Sequence, residues 1–531
     1  MIMIKKQWIC AIWAIGMLSA CSNEEIFAPE TPQPGSGAIE LTVSAGDFVT
    51  DGAPDTRAAD NGDATTFENG DRIGLIIVAD NGATLVADNL PYTYDGANWA
   101  FDSSVASSEN TGKTAAYYDN GIENVTYIAY FPYSKDADGI TTLDALKSRF
   151  APKPDQRGEA DYRASDLLVW TSGAASVPQK KLDIALTHAY ASISLSPEVK
   201  CTLADGNSTV LSYIPSGVSD VSFTIGSDVC LPFQAEDGSF RCILPAGTSG
   251  TVRWFYTFGG ETYGSERDLS GGTTANTRYA RQETMDRGEY GLDKAQVGDF
   301  YCKNGSGEGY LIPGDIASLP SEQKAACLGI VYWMGDITGE DPLLKKDKPG
   351  CTHGLVMALQ DAGGNSLWSS SYEDITNEWL SKQSGNPYGI SSLQEQNKMQ
   401  GYANTAALNG YNEKSDHVKN DPALKVLPVG IIAEYAKSHP TPASSSDWYW
   451  PSVKELKYMC WGQNNSSGVA GRNMLNAQLG KLEISSLQSY YYWSSTEYDY
   501  RYAWYVGFYY GDVDYNSKRY NWYGVRAVLA F

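Results

Sequence analysis

Residues 490–523 of this 531-residue chain hold 12 of its 36 tyrosines, mixed with Asp, Asn, Ser, Gly and Arg and without Pro or Cys. Such a mixture suits recognition more than bond-making. A tyrosine ring offers wide amphipathic contact area with few torsions to freeze, and small polar neighbours supply adaptable hydrogen bonds. Through the strip runs a frame of other types: Trp493-Ser494-Ser495-Thr496-Glu497, Ala503-Trp504, Val506, Phe508, Gly511, Val513 and Val525-Arg526-Ala527-Val528. Tyrosine is also a good strand residue, so a tyrosine-rich edge of an ordinary β domain accounts for the composition alone.

Strands must position these side chains. Across 503–510 the even positions read Trp504, Val506, Phe508 and Tyr510, the odd ones Ala503, Tyr505, Gly507 and Tyr509. With a side-chain period of two, the parity predicts an apolar face toward the core and an outer face of tyrosines. Val525, Ala527, Leu529 and Phe531 alternate in the same way and predict a further strand.

Catalytic chemistry has thinner support. The four histidines are His188, His353, His417 and His439. His353 follows Cys351 by two positions, which on a strand places both on one face and suggests a metal or nucleophile pair. With no second ligand cluster, a core histidine beside a buried thiol is the simpler reading, as it is for His188. No metal, no cofactor and no enzyme activity are expected.

The motifs Tyr492-Trp493-Ser494-Ser495-Thr496-Glu497-Tyr498, Ala503-Trp504, Phe508 and Val525–Phe531 resemble the end of the C-type-lectin-fold domains diversified by retroelements in gut bacteria. Val297-Gly298-Asp299-Phe300-Tyr301, Gly329–Trp333, Gly350–Leu355 and Trp450–Leu456 extend the resemblance over about 296–531. In that family template adenines are miscopied, so Asn codons become Tyr, Asp, Ser, Gly or Arg, or stay Asn. The resemblance thus implies a variable ligand-binding set: Tyr500, Arg501, Tyr502, Tyr505, Gly507, Tyr509, Tyr510, Asp512, Asp514, Tyr515, Asn516, Ser517, Arg519, Tyr520, Asn521 and Tyr523. Trp522 departs from the pattern, because one Asn codon does not readily give Trp. The Glu-Pro-Asn, Gln-Pro-Asp and Trp-Asn-Asp strings of calcium-dependent sugar lectins do not occur, so a calcium-free surface is expected. Formylglycine-generating enzymes share this fold, but they need reactive cysteines late in the domain, and none follows Cys460.

Lys5-Lys6, the apolar run Trp8–Met17 and Leu18-Ser19-Ala20 read as a secretory signal over 1–20. The run is far short of the roughly 20 residues a spanning helix needs. Cys21 after Leu-Ser-Ala resembles the lipobox of bacterial lipoproteins, and Ser22-Asn23-Glu24-Glu25 the signal for export to the outside of the outer membrane. Lipidation at Cys21 would anchor the chain, with the Pro/Gly-rich 21–38 as a tether.

A formal net charge of −23 argues against nucleic acid and against direct adhesion to anionic lipid. Abundant Gly and scarce helical periodicity favour β structure. Cys201, Cys230, Cys242, Cys302, Cys327, Cys351 and Cys460 are too sparse for a disulfide scaffold. One pair among Cys201, Cys230 and Cys242 could bridge. Ile39–Val43, the Asn69-Gly70 turn feeding Arg72–Val78, and Asn124–Tyr133 predict strands. Together with Tyr162–Trp170 and Leu186–Leu195, this series resembles the fimbrillin, or Mfa-like, family over about 39–290. That family has two transthyretin-like β-sandwiches, and its pilins are cut after an Arg beyond the first strand, leaving a groove that a neighbour's strand fills. Arg57-Ala58 occupies the corresponding place.

The expected organisation is mainly β with an α+β C-terminal domain: a sandwich at 39–183, a second at 184–292 and a C-type-lectin-like domain at 293–531. Helices are expected within 376–410, with Gly410 as a C-cap, and at 431–436 and 453–459. The expected function is a surface lipoprotein adhesin at a fimbrial tip, binding a host, bacterial or phage receptor and joining other fimbrial subunits by strand addition. The alternatives are a structural stalk subunit and an enzyme on the lectin-like fold.

Overall fold

A computed structural model describes residues 39–51, 66–80, 83–108, 113, 115–116, 124–173, 179–487 and 491–531. Cys21, Arg57 and Ala58 lie outside the described residues, as do the signal and tether. The chain falls into two compact units, one built from 39–46, 66–149 and 168–187, the other from 47–51, 150–167 and 188–531.

The first unit carries a seven-stranded sheet in the order Glu40–Ala45, Lys181–His188, Leu168–Thr171, Thr126–Phe131, Arg72–Ala79, Thr84–Tyr94, Trp99–Phe101. Alternation explains its core: along Lys181–His188 every second side chain is buried, with Leu182, Ile184 and Leu186 inside. The Asn69-Gly70 turn forms as expected, with Gly70 at φ +100 and its N–H donating to the Tyr94 carbonyl at 2.8 Å. Only glycine takes that φ without strain. Glu40–Ala45 is an edge strand, paired in parallel with Lys181–Leu186 on one side. The expected boundary at 183/184 falls inside the strand Lys181–His188, so the sheet overrides the break read from sequence.

In the second unit, Ala191–Leu203 and Thr277–Tyr290 pair in parallel at the centre of a six-stranded sheet. A four-stranded sheet runs Asp228–Cys230, Ser219–Ile225, Gly250–Phe258, Glu261–Leu269. The disulfide Cys230–Cys242 joins a strand of one sheet to a strand of the other, while Cys201 stays free and buried. His188 is a core residue here: its Nδ1 lies 2.7 Å from Asp166 Oδ1 and its ring stacks on Phe48.

The same unit continues without a break in its core into the C-terminal region. A five-stranded sheet runs Gly309–Ile312, Phe300–Lys303, Cys327–Met334, Gly354–Ala358, Val528–Ala530, and a three-stranded one Tyr491–Glu497, Tyr502–Gly507, Val513–Ser517. Helices Gly401–Lys414, Leu427–Ser438, Val453–Trp461 and Ala470–Lys481 accompany them, more helix than expected. Gly410 is not a cap but a buried mid-helix residue, because a Cβ there would meet the Tyr388 hydroxyl at 1.9 Å. Within the stretch 376–410 where helices were expected, residues 393–398 form no helix.

Arg287, on the strand Thr277–Tyr290, ties the six-stranded sheet to this region, pairing with Asp315 at 2.7 Å. The Tyr213 hydroxyl donates to the same carboxylate at 2.8 Å.

Helix Val453–Trp461 begins in a capping box, Ser452 and Glu455 each satisfying the other's backbone N–H. Glu455 is fully buried, accepts from the Tyr449 hydroxyl at 3.1 Å, and is pushed up to about 8 by burial. Near neutral pH the folded carboxyl keeps a proton that the unfolded one, titrating near about 4.3, releases. The native state binds the extra proton, so this group's contribution to stability is full below about 4.3 and is lost as pH rises toward 8. Glu455→Gln is expected to flatten that fall in urea midpoints taken at pH about 5 and about 8. An unchanged slope would contradict the assignment.

Candidate functional site

The tyrosine strip is built on buried indoles whose N–H groups are all committed. Trp493 donates to the Ser366 carbonyl, Trp368 to that of Ser494 and Trp450 to that of Trp493, at 3.0, 3.0 and 2.8 Å. These bonds fix the strand Tyr491–Glu497 from beneath, since a buried donor left unpaired is costly.

A buried ion pair holds the far end. Lys518 Nζ lies 2.6 Å from Glu497 Oε1, with both side chains almost wholly excluded from solvent. Glu497 also accepts from the backbone N–H groups of Ile375 and Thr376 at 3.0 Å each. Lys518 donates to the Glu373 carbonyl at 2.7 Å and sits 4.7 Å over the Trp368 ring. Lys518 is the sole lysine of 491–523 and escaped the sequence reading; its type among Tyr, Asp and Asn was the available signal.

The turn at 508–511 is clamped from outside the strip. Arg472 donates to the Phe508 carbonyl at 2.6 Å and the Trp461 indole to the Gly511 carbonyl at 2.7 Å. Gly511 has φ +80 and lies against Gly468, where a Cβ would come within 2.2 Å of a carbonyl oxygen. Only glycine fits there.

Eight of the 15 exposed large hydrophobic residues among those described fall within 491–522: Tyr491, Tyr498, Tyr500, Tyr509, Tyr510, Tyr515, Tyr520 and Trp522. Tyr510, Tyr520 and Trp522 stand furthest out, at 77%, 67% and 62% exposure. Arg501, Asp512, Asp514 and Arg519 are also exposed, while Tyr502, Asn516, Ser517, Asn521 and Tyr523 are half-buried.

The exposed rings form separate groups, one of them the edge-on pair Tyr509–Tyr510 with centroids 4.3 Å apart. Tyr498 stacks on Tyr515 at 3.8 Å, with Tyr502 and Trp504 5.5 and 5.6 Å from Tyr515. Tyr372, from outside the strip, meets Tyr500 and Tyr520 edge-on at 6.4 and 6.5 Å. Arg519 lies over both Tyr372 and Tyr520, and Arg501 over Tyr500, so each guanidinium rests on a ring face. The hydrogen bond with Tyr498 raises the Tyr515 phenol above its ordinary value.

The parity expectation needs correction. Tyr505 is 8% exposed, enclosed by Trp493, Tyr491 and Tyr523, and burial raises its phenol. Trp504, expected in the core, is half-buried on the opposite face beside its cross-strand partner Tyr515. Val506 and Phe508 are buried as expected, but Gly507 is buried too, against the Asp512 side chain. Helix Val453–Trp461 packs on this strand, so its second half is covered on both faces. An alternation rule assumes only one face is covered.

The other candidate site separates into core contacts. The Cys351 thiol donates to the Ser444 carbonyl at 3.5 Å, and the His353 ring stacks on Phe531 with centroids 5.8 Å apart. No cluster of three or more metal-type ligands occurs among the described residues. No helix among them is long and apolar enough to cross a membrane.

The chain is mainly β, and it is similar in part to proteins described as fimbrial. Residues 56–219 match the fimbrillin-like family model, so the chain carries a fimbrillin-like segment. Over 92% of its length the chain is 25% identical to the Bacteroides ovatus protein named "Putative fimbrium tip subunit Fim1C", covering 91% of that protein. A crystal structure of a fimbrial protein from Bacteroides ovatus aligns at 20% identity over 93% of this chain and 99% of that one, with a TM-score of 0.38. The C-terminally truncated tip fimbrial protein Mfa3 of Porphyromonas gingivalis aligns at 8% identity over 40% of this chain and 89% of its own, with a TM-score of 0.19.

Proposed function

We propose that this protein is a fimbrial tip adhesin that binds a protein or glycan receptor through the tyrosine strip. The observation that carries the reading is the concentration of exposed rings on one rigidly held stretch. Exposed aromatics usually scatter singly, and a dense group of them marks a contact surface. In this reading 293–531 is a C-type-lectin-like head, the displayed positions are diversified, and the sheets before it are transthyretin-like sandwiches serving as stalk adaptor. The head binds and does not catalyse.

Similarity along nearly the whole chain to a protein named as a tip subunit supports the placement. Two strands support it physically. Glu40–Ala45 is an edge strand, so a cut at Arg57 would free it and open an edge for a donor strand. Val528–Ala530 is buried between Gly354–Ala358 and Tyr449, so it is engaged on both sides. The opened edge would let a strand of a neighbouring subunit join this one.

Lipidation at Cys21 would hold the chain at the outer membrane until assembly. Cys21→Ala is expected to move the protein from the membrane fraction to the soluble one, and assembled protein to begin at Ala58. Immunogold against the head is expected at free fibre ends. Label spaced along the shaft would refute the tip placement, and a Cys21→Ala protein still wholly in the membrane fraction would refute the anchor.

A further inference from the structure

Cys302 and Cys327 face one another at the point where the chain enters the C-terminal region. They are cross-strand partners between Phe300–Lys303 and Cys327–Met334, where the antiparallel register shifts between Tyr301 and Cys302. Opposed residues in such a ladder have Cα atoms about 4.5–5.5 Å apart, inside the span a disulfide bridges. Their sulfurs are 3.0 Å apart, and both side chains are buried. No third metal-type ligand joins them among the described residues, so a metal clip is not the use of the pair. The chain already holds one disulfide, Cys230–Cys242, which belongs to an oxidising compartment.

We propose that Cys302 and Cys327 form a second disulfide in the exported protein, stapling the entry strand to the body of the head. Two S–H bonds break and one S–S bond forms, releasing two protons and two electrons. The electrons pass to the disulfide of a thiol oxidoreductase by exchange: one thiolate attacks it, and the second displaces the resulting mixed disulfide, leaving the oxidoreductase as a dithiol. Burial raises the Cys302 thiol well above its ordinary value, so that thiol attacks poorly once enclosed, which favours forming the bond as the head folds.

The position gives the bond a mechanical use, and this part rests on the adhesin reading. Tension from the stalk reaches the head through the residues before Phe300 and would peel Phe300–Lys303 from its sheet. With the bond in place, peeling stops at Cys302 and the loop to Cys327, 25 positions on, stays closed. At about 3.3–3.6 Å per extended residue, that loop would otherwise release roughly 80–90 Å of chain.

The bond is tested by blocking free thiols with maleimide in denatured, unreduced protein from the cell surface, followed by peptide mapping. A linked peptide pair containing Cys302 and Cys327 is expected, dissolving on reduction, and Cys302→Ser is expected to expose Cys327 to maleimide. Recovery of both cysteines as maleimide adducts, or of either bonded elsewhere, would overturn the proposal. Pulling the protein between its N-terminal segment and the head, as wild type and as Cys302→Ser with Cys230–Cys242 intact in both, separates the two claims. Equal extension in both proteins, with the bond mapped, would remove the mechanical role and leave the disulfide standing. The mapping does not depend on ligand binding, so its result and that of the adhesin reading can differ.

Discussion

Lys518→Ala should cost the C-terminal region about 3–5 kcal/mol, because it strands a buried carboxylate without its counter-charge. Glu497 would keep the two backbone donors of Ile375 and Thr376 but lose the ammonium 2.6 Å away. The expected reading is a large drop in urea midpoint, partly recovered in the double variant Glu497→Gln/Lys518→Met, where no charge is left unpaired. A single variant as stable as wild type would mean that the pair is not closed off from water. The backbone N–H at 518, which donates to the Arg501 carbonyl at 3.0 Å, is kept in the variant, so the loss reads the side-chain pair.

The second large effect contrasts two tyrosines that composition treats alike. Tyr505→Ala empties a site enclosed by Trp493, Tyr491 and Tyr523 and should cost about 3–5 kcal/mol, as for other large buried aromatics. Tyr520→Ala removes a ring that is 67% exposed and should change stability by no more than about 0.5 kcal/mol. Denaturant melts of the two variants decide it. Equal losses would mean that the exposed rings also carry the fold.

How far the sequence revealed these roles depended on which rule applied. Single-face alternation worked where one face is covered, as in Lys181–His188, and the Asn69-Gly70 turn followed from backbone sterics alone. The helix expected at 453–459 also formed, as Val453–Trp461, whereas Gly410, read as a C-cap, lies inside the helix Gly401–Lys414. The same alternation misassigned Tyr505 and Trp504 because which face of a strand is covered depends on distant elements, here Val453–Trp461 and Tyr498. Lys518 and Tyr372 were missed for a related reason. A lone lysine among Tyr, Asp and Asn marks position 518 as different but does not name Glu497 as its partner, and nothing beside Tyr372 announces a supporting ring. The disulfide needed the fold as well, since spacing left three cysteines equivalent and only the two sheets select Cys230 and Cys242.

The central claim is that the displayed side chains choose the partner while the frame beneath them only holds them. Its most direct test uses a head of the same frame with a different displayed set and a known partner. Tyr500, Arg501, Tyr509, Tyr510, Asp512, Asp514, Tyr515, Arg519 and Tyr520 would be exchanged for that head's residues, and binding to its partner measured with the melting curve of each protein. The expected result is acquired binding, with a Kd near the donor head's and an unchanged melt. A folded exchange variant that gains no affinity, or an exchange that unfolds the head, would contradict it.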